Sequence, residues 1–300
     1  MNRDRVRLRR LPRRDRQTVP AGNERARGSR ARYAVLLVAM AAGLASSAND
    51  CARAQKLEAR YVISMTGIRV GQSAWTVNID NDHYSAAASG GSVDILNVLL
   101  RGEGVAQVSG AIKDGRLVPA NFSSSLTEDS EKVDLKMMLD DGIVTDVKDN
   151  APPPGPDRVP LVQLHAQGVT DPLTALLIPD EGGEAAPAKE SCNRTLAIFD
   201  GRRRYDLVLS FKRIETMRDK ADGGRVLVCN VILRPIAGHR ANSMIMKYVA
   251  GRRDMEISFA PIDGTRFLAP FRLSVPTLIG TMAVKATSFE TSGQVPQVRQ

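Results

Sequence analysis

The sequence predicts an all-β protein built on one strongly curved, mainly antiparallel sheet, a β-spiral or half-barrel, with two or three short helices. Three observations lead to this class. Apolar and polar residues alternate in several segments, which places one face of each segment in a core and the other in solvent. Asp-Gly pairs, which suit the positive φ angles of tight hairpin turns, occur five times. Few segments have a helical pattern.

The alternation begins with residues 57–65 and 73–79, which residues 67–71 join into a predicted hairpin. Three later segments repeat the pattern: residues 133–139, 205–211 and 255–259. The Asp-Gly pairs are Asp114-Gly115, Asp141-Gly142, Asp200-Gly201, Asp222-Gly223 and Asp263-Gly264. We expect each pair to return the chain beside the preceding strand, so that neighbours in sequence become neighbours in the sheet.

Three segments are candidates for the short helices. Residues 92–101 are apolar on most sides and fit either a buried plug helix or a strand. Asp171 followed by Pro172 has the N-cap acid and the first-turn proline that favour a short helix. Residues 243–250 are the third candidate.

Two loop segments rich in proline, glycine and alanine, residues 149–160 and 179–191, could divide two β domains. Each piece alone would expose many unpaired strand edges, which folded proteins avoid. We therefore expect one domain over residues 55–290, with a disordered tail at 291–300.

The basic charge of the chain is confined to its start. Residues 1–54 contain thirteen Arg and four acidic residues, whereas the remainder is neutral, so nucleic acid is not an expected partner. An apolar run at 34–45 follows, too short to cross a bilayer, and then small residues ending in Ala52-Arg53-Ala54. This order predicts a signal peptide over 1–54, cut near Ala54/Gln55, and a periplasmic protein with no transmembrane span after cleavage.

Cleavage there leaves two cysteines, Cys192 and Cys229. In an oxidising compartment an even pair is most simply a disulfide, and two buried free thiols are the alternative. A simple meander would place a third strand between the two cysteines, about 10 Å across, which a disulfide cannot span. The disulfide therefore requires Cys192 to loop over the sheet, or a strand order that departs from a meander.

No residue pattern predicts catalysis, a metal or a cofactor. The three histidines, His83, His165 and His239, lack the neighbours of a catalytic or metal-binding group, and no nucleophile motif, P-loop or dinucleotide motif occurs. A basic cluster begins at Arg202, Arg203 and Arg204. Such a cluster either attracts phosphate-bearing head groups or forms a solvated face with internal salt bridges.

Aromatic residues make up only 4% of the chain, which is few for filling the concave side of a large curved sheet. We therefore predict a partly open apolar groove with the three arginines at its mouth. Its predicted lining is Trp75, Leu207, Leu209 and Phe211.

A set of short motifs resembles alphaproteobacterial members of the domain-of-unknown-function 3108 family. These are Cys192, residues 194–209, Cys229, and residues 235–239, 246–248, 260–262 and 275–277. The resemblance implies an exported β protein and brings no catalytic residues. More loosely, the chain resembles β-spiral proteins linked to cell-envelope integrity, which also carry one disulfide.

The sequence leaves three functions open. The first is a non-enzymatic periplasmic protein that supports the cell envelope by binding a lipid or another apolar small molecule. The second is a structural or scaffolding module that binds an envelope protein. The third is a hydrolase of envelope polymers.

Overall fold

The computed structural model describes residues 54–92, 102–128, 131–182, 187–216 and 224–294. Its first seven strands are β1 Ala54–Met65, β2 Ile68–Ile79, β3 His83–Ser92, β4 Gly102–Lys113, β5 Arg116–Glu128, β6 Glu131–Asp140 and β7 Ile143–Asp149. The others are β8 Ile178–Pro179, β9 Arg194–Phe199, β10 Arg204–Thr216, β11 Arg225–Ala237, β12 Met255–Pro261, β13 Phe267–Thr277 and β14 Gly280–Gln294. The helices are α1 Pro172–Ala175 and α2 Met244–Gly251, and 3-10 turns cover Gln163–Ala166 and Lys189–Cys192.

All fourteen strands belong to one antiparallel sheet, which confirms the predicted class. Its order is β7-β6-β5-β4-β3-β2-β1-β14-β13-β12-β11-β10-β9, with β8 paired to β13. Within β1–β7 and within β9–β14, strands adjacent in sequence are adjacent in the sheet. That pair joins the first described strand to the last, so the sheet has a first arm, β1–β7, and a second arm, β9–β14.

Tight turns connect the strands where the sequence predicts them. Asp114-Gly115 and Asp141-Gly142 adopt φ angles of 51° and 70°, and of 42° and 79°, as two-residue hairpin turns require. The first hairpin turns at Thr66-Gly67 instead of over 67–71, because β2 already begins at Ile68. Asp222-Gly223 lies outside the described residues.

Two predicted helices form, and each begins at a capping side chain. The Asp171 carboxylate accepts hydrogen bonds from the backbone N–H groups of Leu173 and Thr174 at the start of α1. The Ser243 hydroxyl accepts one from Met246 N at the start of α2. Of the third candidate, Ser92 ends β3 and residues 93–101 lie outside the described residues.

The C-terminal boundary differs from the prediction. β14 continues through Gln294, where it pairs with Ala54, so residues 291–294 belong to the sheet and not to a tail that begins at 291. The pairing is possible because β1 supplies an unpaired edge for the whole length of β14.

The sheet is coiled, since residues far apart in strand order touch. Leu135 on β6 lies against Gly201, which precedes β10: a Cβ at Gly201 would be 2.4 Å from the Leu135 Cδ1 atom. These strands are ten steps apart in the sheet order, about 48 Å in a flat sheet. Gly201, with φ of 91°, is therefore required by both its conformation and this close approach.

Residues 167–170 link the two outer strands of the sheet. Val169 N donates to Gly142 O beside β7, and Thr170 N donates to Ala197 O on β9, both at 2.9 Å. Phe199 N donates in turn to Thr170 O at 2.9 Å. This short segment satisfies backbone groups of both edges, which would otherwise be open to pairing with other chains.

The segment that follows fills the interior. Val169, Leu173 and Leu177 pack in a first hydrophobic cluster with the first arm, and Ile178 packs in a second cluster with the second arm. The start of β13 is buried on both faces, because Phe267 and Ala269 pack in the first cluster and Leu268 packs in the second. The coil thus has two apolar layers with the second arm between them.

Cys192 and Cys229 form a disulfide with a Cα–Cα distance of 5.6 Å. The strand order β9-β10-β11 is a meander, so a strand does lie between them. The bond is possible because Cys192 belongs to the 3-10 turn Lys189–Cys192, which crosses over β10 and β11 before β9 begins. Of the two geometries that the sequence allows, the chain uses the loop over the sheet.

Candidate functional site

The structure divides the four residues of the predicted apolar groove among three places. Trp75 is buried in the first cluster, whereas Leu209 is buried in the second, with Leu207 packed at its margin. Phe211 precedes a bulge in β10 and keeps 37% of its surface exposed. Leu207 and Leu209 come together, but Trp75 and Phe211 do not join them in one groove.

The chain itself occupies the volume where the groove is predicted. Leu173 and Leu177 lie in the first cluster with Trp75, and Ile178 and Cys192 lie in the second with Leu209. The short supply of aromatic residues is thus met by aliphatic side chains from the connection between the two arms.

The three predicted head-group arginines lie together in the turn before β10, but they differ in what they contact. Arg204 Nη1 lies 2.5 Å from Asp206 Oδ1, and both side chains are mostly shielded from solvent. Arg203 Nε lies 3.7 Å from Asp200 Oδ2, and Arg202 Nη2 donates to Pro152 O at 2.6 Å. Arg202 and Arg203 are therefore the two that a ligand can reach most directly.

A cleft of about 560 Å³ opens beside Arg202. We call it the proline cleft, because Pro152, Pro153, Pro154, Pro156 and Pro160 line it. Val159 and Leu161 add to its apolar wall, and its charged lining residues are two arginines, Arg158 and Arg202, and one carboxylate, Asp149. The volume lies within the range of small-molecule sites, and the lining combines apolar surface with a few fixed polar groups.

Hydrogen bonds hold the proline segment against the turn after β11. Gly238 N donates to Val159 O at 2.8 Å, Val159 N donates to His239 O at 2.9 Å, and Arg158 Nη1 donates to Gly238 O at 2.8 Å. Gly238 has φ of 80°, and a Cβ there would lie 2.0 Å from Arg202 O. Only glycine fits this junction.

A smaller cavity of about 170 Å³ lies on the other side of the arginine turn, lined by Arg203, Arg204, Tyr205, His239 and Met246 among others. Burial raises the pKa of Tyr205, so its phenol is uncharged. His239 Nδ1 is buried and has no hydrogen-bond partner among the described residues. The turn thus separates two concavities, each with a guanidinium at its edge.

A further concavity, about 990 Å³, lies on the first arm and is lined by small polar residues together with Arg60, Arg69 and Lys132. Because its wall at Ser92 and Glu103 adjoins residues outside the described ranges, we assign no site to it. Within those ranges, no group of three His, Cys, Asp or Glu side chains could hold a metal ion. No described helix has both the length and the apolar character needed to cross a membrane.

The sequence indicates the grouping of the three arginines but not the cleft beside them. It predicts residues 149–160 only as a loop or linker, although five prolines in twelve residues make a stiff wall more easily than a flexible linker. The contacts of this segment with Gly238 and His239 join positions about eighty residues apart, which no local pattern indicates.

The coiled sheet and the proline cleft define a class: an all-β protein with a packed interior and a ligand-sized cleft beside the ends of its strands. More particularly, the chain belongs to the family described as "Protein of unknown function (DUF3108)", whose model matches residues 60–287. A similar solved structure is the "Crystal Structure of Beta-barrel-like Protein of Domain of Unknown Function DUF1849 from Brucella abortus". It is 9% identical, with a TM-score of 0.40, over 80% of this chain and 98% of that chain. No curated protein matches the sequence.

Proposed function

We propose that this protein is a non-enzymatic periplasmic protein that supports the cell envelope by binding an anionic amphiphile in the proline cleft. The observation that carries the proposal is the pairing of an apolar, proline-lined wall with the guanidinium of Arg202 at its edge. An acyl chain would lie along the prolines, and a phosphate or carboxylate would meet Arg202 and Arg158. Arginine suits such groups because its planar fork can donate two hydrogen bonds at once.

Buried apolar area sets the expected affinity. Covering about 300 Å² of acyl chain at roughly 25 cal/mol per Å² contributes about 7 kcal/mol before the costs of association. The net result is binding at micromolar concentrations at best. A protein with this affinity samples and releases envelope lipids and does not store them.

Two features support export. Residues 1–54 have the order of a signal peptide, with a basic segment, a short apolar run and then small residues. The disulfide between Cys192 and Cys229 suits an oxidising compartment. Absence of catalytic motifs from the sequence supports the non-enzymatic part of the proposal.

The packed interior favours a second candidate, a structural module that binds an envelope protein and no lipid. Both hydrophobic clusters are filled by the chain's own side chains, as such a module requires. The two candidates differ in what copurifies with the protein and in whether Arg202 affects binding of a lipid.

Native mass spectrometry of protein purified from the periplasm tests export and ligand together. We expect a chain that starts near Gln55, carries the disulfide and retains an amphiphile. A chain that keeps residues 1–54 in the cytoplasm would overturn the periplasmic assignment.

Calorimetric titration with lauroyl lysophosphatidylglycerol, kept below its micelle concentration, tests the site. Arg202→Gln should weaken binding about tenfold, since it removes a charged hydrogen bond. Arg202→Lys keeps the charge and should weaken binding less. The matched control, Arg116→Gln, removes an exposed arginine at the opposite end of the strands and should leave binding unchanged. Equal affinities for Arg202→Gln and the unchanged protein would favour the structural module.

A further inference from the structure

Several turns of the molecule meet at the end of the sheet that carries the arginine turn. Arg204 pairs with Ala237 at the end of β11, and Thr277 pairs with Gly280 at the turn between β13 and β14. Because β11 and β13 run in the same direction, their C-terminal ends lie at one end of the sheet. The β1–β2 turn joins them, since Met65 pairs with both Met282 and Ile68. We call residues 68–69, 200–204, 234–247 and 278–279 the basic rim.

Large apolar side chains protrude from the basic rim. Met244 and Ile245 at the start of α2 are 72% and 65% exposed, and Ile279 in the β13–β14 turn is 78% exposed. Ile68, Ile236 and Leu278 are also exposed. They lie on separate turn tips and not in a groove. Single exposed apolar side chains are ordinary on a protein surface, so what distinguishes these is that they gather on the turns of one end of the sheet.

Cations surround these apolar tips. The basic rim contains Arg69, Arg202, Arg203, Arg204, Arg234, Arg240 and Lys247, against a single carboxylate, Asp200. From outside the rim, Asp206 pairs with Arg204 and Asp157 with Arg240. Arg202 and Lys247 donate to the neutral oxygens of Pro152 and Asn242, so these hydrogen bonds leave their charges uncompensated.

The opposite end of the sheet is mainly acidic. Its described turns contain Asp80, Asp82, Asp114, Asp141 and Asp263 against one cation, Arg266. Close approach of that end to a negatively charged surface would be unfavourable, whereas approach of the basic rim would be favourable. The charge distribution therefore selects one orientation of the molecule on such a surface.

We propose that the basic rim docks on the surface of a membrane that contains anionic lipids, with Met244, Ile245 and Ile279 inserted among the head groups. Apolar residues flanked by Lys and Arg are the pattern of proteins that lie on an interface without crossing it. Lys and Arg side chains close to such a membrane are attracted to its negative surface potential. A protein partner is less consistent with tips that protrude singly, because protein interfaces bury a continuous apolar core.

This proposal goes beyond capture of a single amphiphile, and it holds whether or not the proline cleft takes one. Docking would place that cleft, which Arg202 borders, at the membrane surface where an amphiphile is drawn from or returned.

Cosedimentation with vesicles tests the docking surface. Vesicles of phosphatidylethanolamine with phosphatidylglycerol should bind the protein, and phosphatidylcholine vesicles should not. Ile245→Glu and Ile279→Glu should each lower the partition coefficient at least about tenfold, while Lys247→Gln should lower it about fivefold. The matched control is Ile143→Glu, which changes an isoleucine 50% exposed at the acidic end and should have no effect. All variants begin at the same residue, so any contribution of the residues before Ala54 to vesicle binding is the same in each.

Near-ultraviolet circular dichroism confirms that each variant is folded. Unchanged partitioning of both Ile245→Glu and Ile279→Glu would overturn the proposal, as would an equal loss in Ile143→Glu. Binding to an envelope protein that these variants abolish, with no vesicle binding by the unchanged protein, would assign the rim to a protein partner instead. The lysolipid titration of the same variants reports on the proline cleft separately, because none of these residues lines it.

Discussion

The interior of the coiled sheet and its basic rim use the same kinds of residue in opposite ways. In the interior, apolar side chains from residues 169–178 fill both clusters, and the polar groups serve the fold. At the rim, apolar side chains are exposed and most cations face solvent or neutral oxygens. The difference shows that a curved sheet with few aromatic residues need not hold a ligand inside, since its own connecting segment can fill the space.

Substitutions in the interior should therefore change stability, whereas substitutions at the rim should change binding. The most severe test is Leu209→Arg, which puts a charge into the second cluster. Burying an unpaired charge should lower the free energy of unfolding by more than about 4 kcal/mol. The matched control is Phe211→Arg, two residues along the same strand but partly exposed, which should cost about 1 kcal/mol. Urea unfolding of both variants checks the contrast, and equal costs would break it.

Removing the disulfide should have the next largest effect. The bond closes a separation of 37 residues, so Cys192→Ser with Cys229→Ser should lower the free energy of unfolding by about 4 kcal/mol in the chain-entropy model. Urea unfolding without reductant measures this loss. Rim binding in the fraction that remains folded should not change. In the unchanged protein, denatured without reductant, reaction of both Cys192 and Cys229 with maleimide would show that the disulfide is absent.

Asp171 gives a smaller effect that depends on pH. Its side chain is fully buried, Oδ1 caps α1, and Oδ2 has no partner among the described residues. Burial raises the pKa of this carboxyl above its ordinary value of 3.8. The native state therefore holds the proton more tightly than the unfolded state does. As the pH rises from the pKa of the unfolded state to the higher pKa of the native state, this residue lowers the free energy of unfolding.

Asp171→Asn should remove that part of the pH dependence while keeping most of the cap. Asp171→Ala should also lose the cap, at a cost of about 1 kcal/mol. Urea midpoints measured across acidic and neutral pH would show both effects. An identical pH profile for the unchanged protein and Asp171→Asn would mean that the buried carboxyl does not titrate as its burial requires.

Local sequence signals predicted much of the fold. The turn at Asp114-Gly115, the cap at Asp171 and the pairing of Cys192 with Cys229 all depend on residue type and position, and all occur. Which segments of the chain fill the interior could not be predicted in the same way. Residues 172–177 are apolar and short, and periodicity does not state that such a segment packs into a cluster inside the sheet.

The candidate site was predictable only in part for a similar reason. Arg202, Arg203 and Arg204 are adjacent in sequence, so their grouping follows directly. The burial of Arg204 against Asp206 and the cleft wall at residues 152–161 depend on packing between distant segments. Trp75 and Leu209 alternate correctly within their strands, but the coil of the sheet separates them into different clusters.

The most direct test of the account uses the single tryptophan, Trp75, which is buried in the first cluster and does not line the proline cleft. Trp75 emission should be recorded during a lysophosphatidylglycerol titration in which calorimetry shows binding. We expect the heat to saturate with no change in emission, because the ligand stays at the rim. A quench or shift of Trp75 that saturates with the heat would contradict it and place the ligand in the interior.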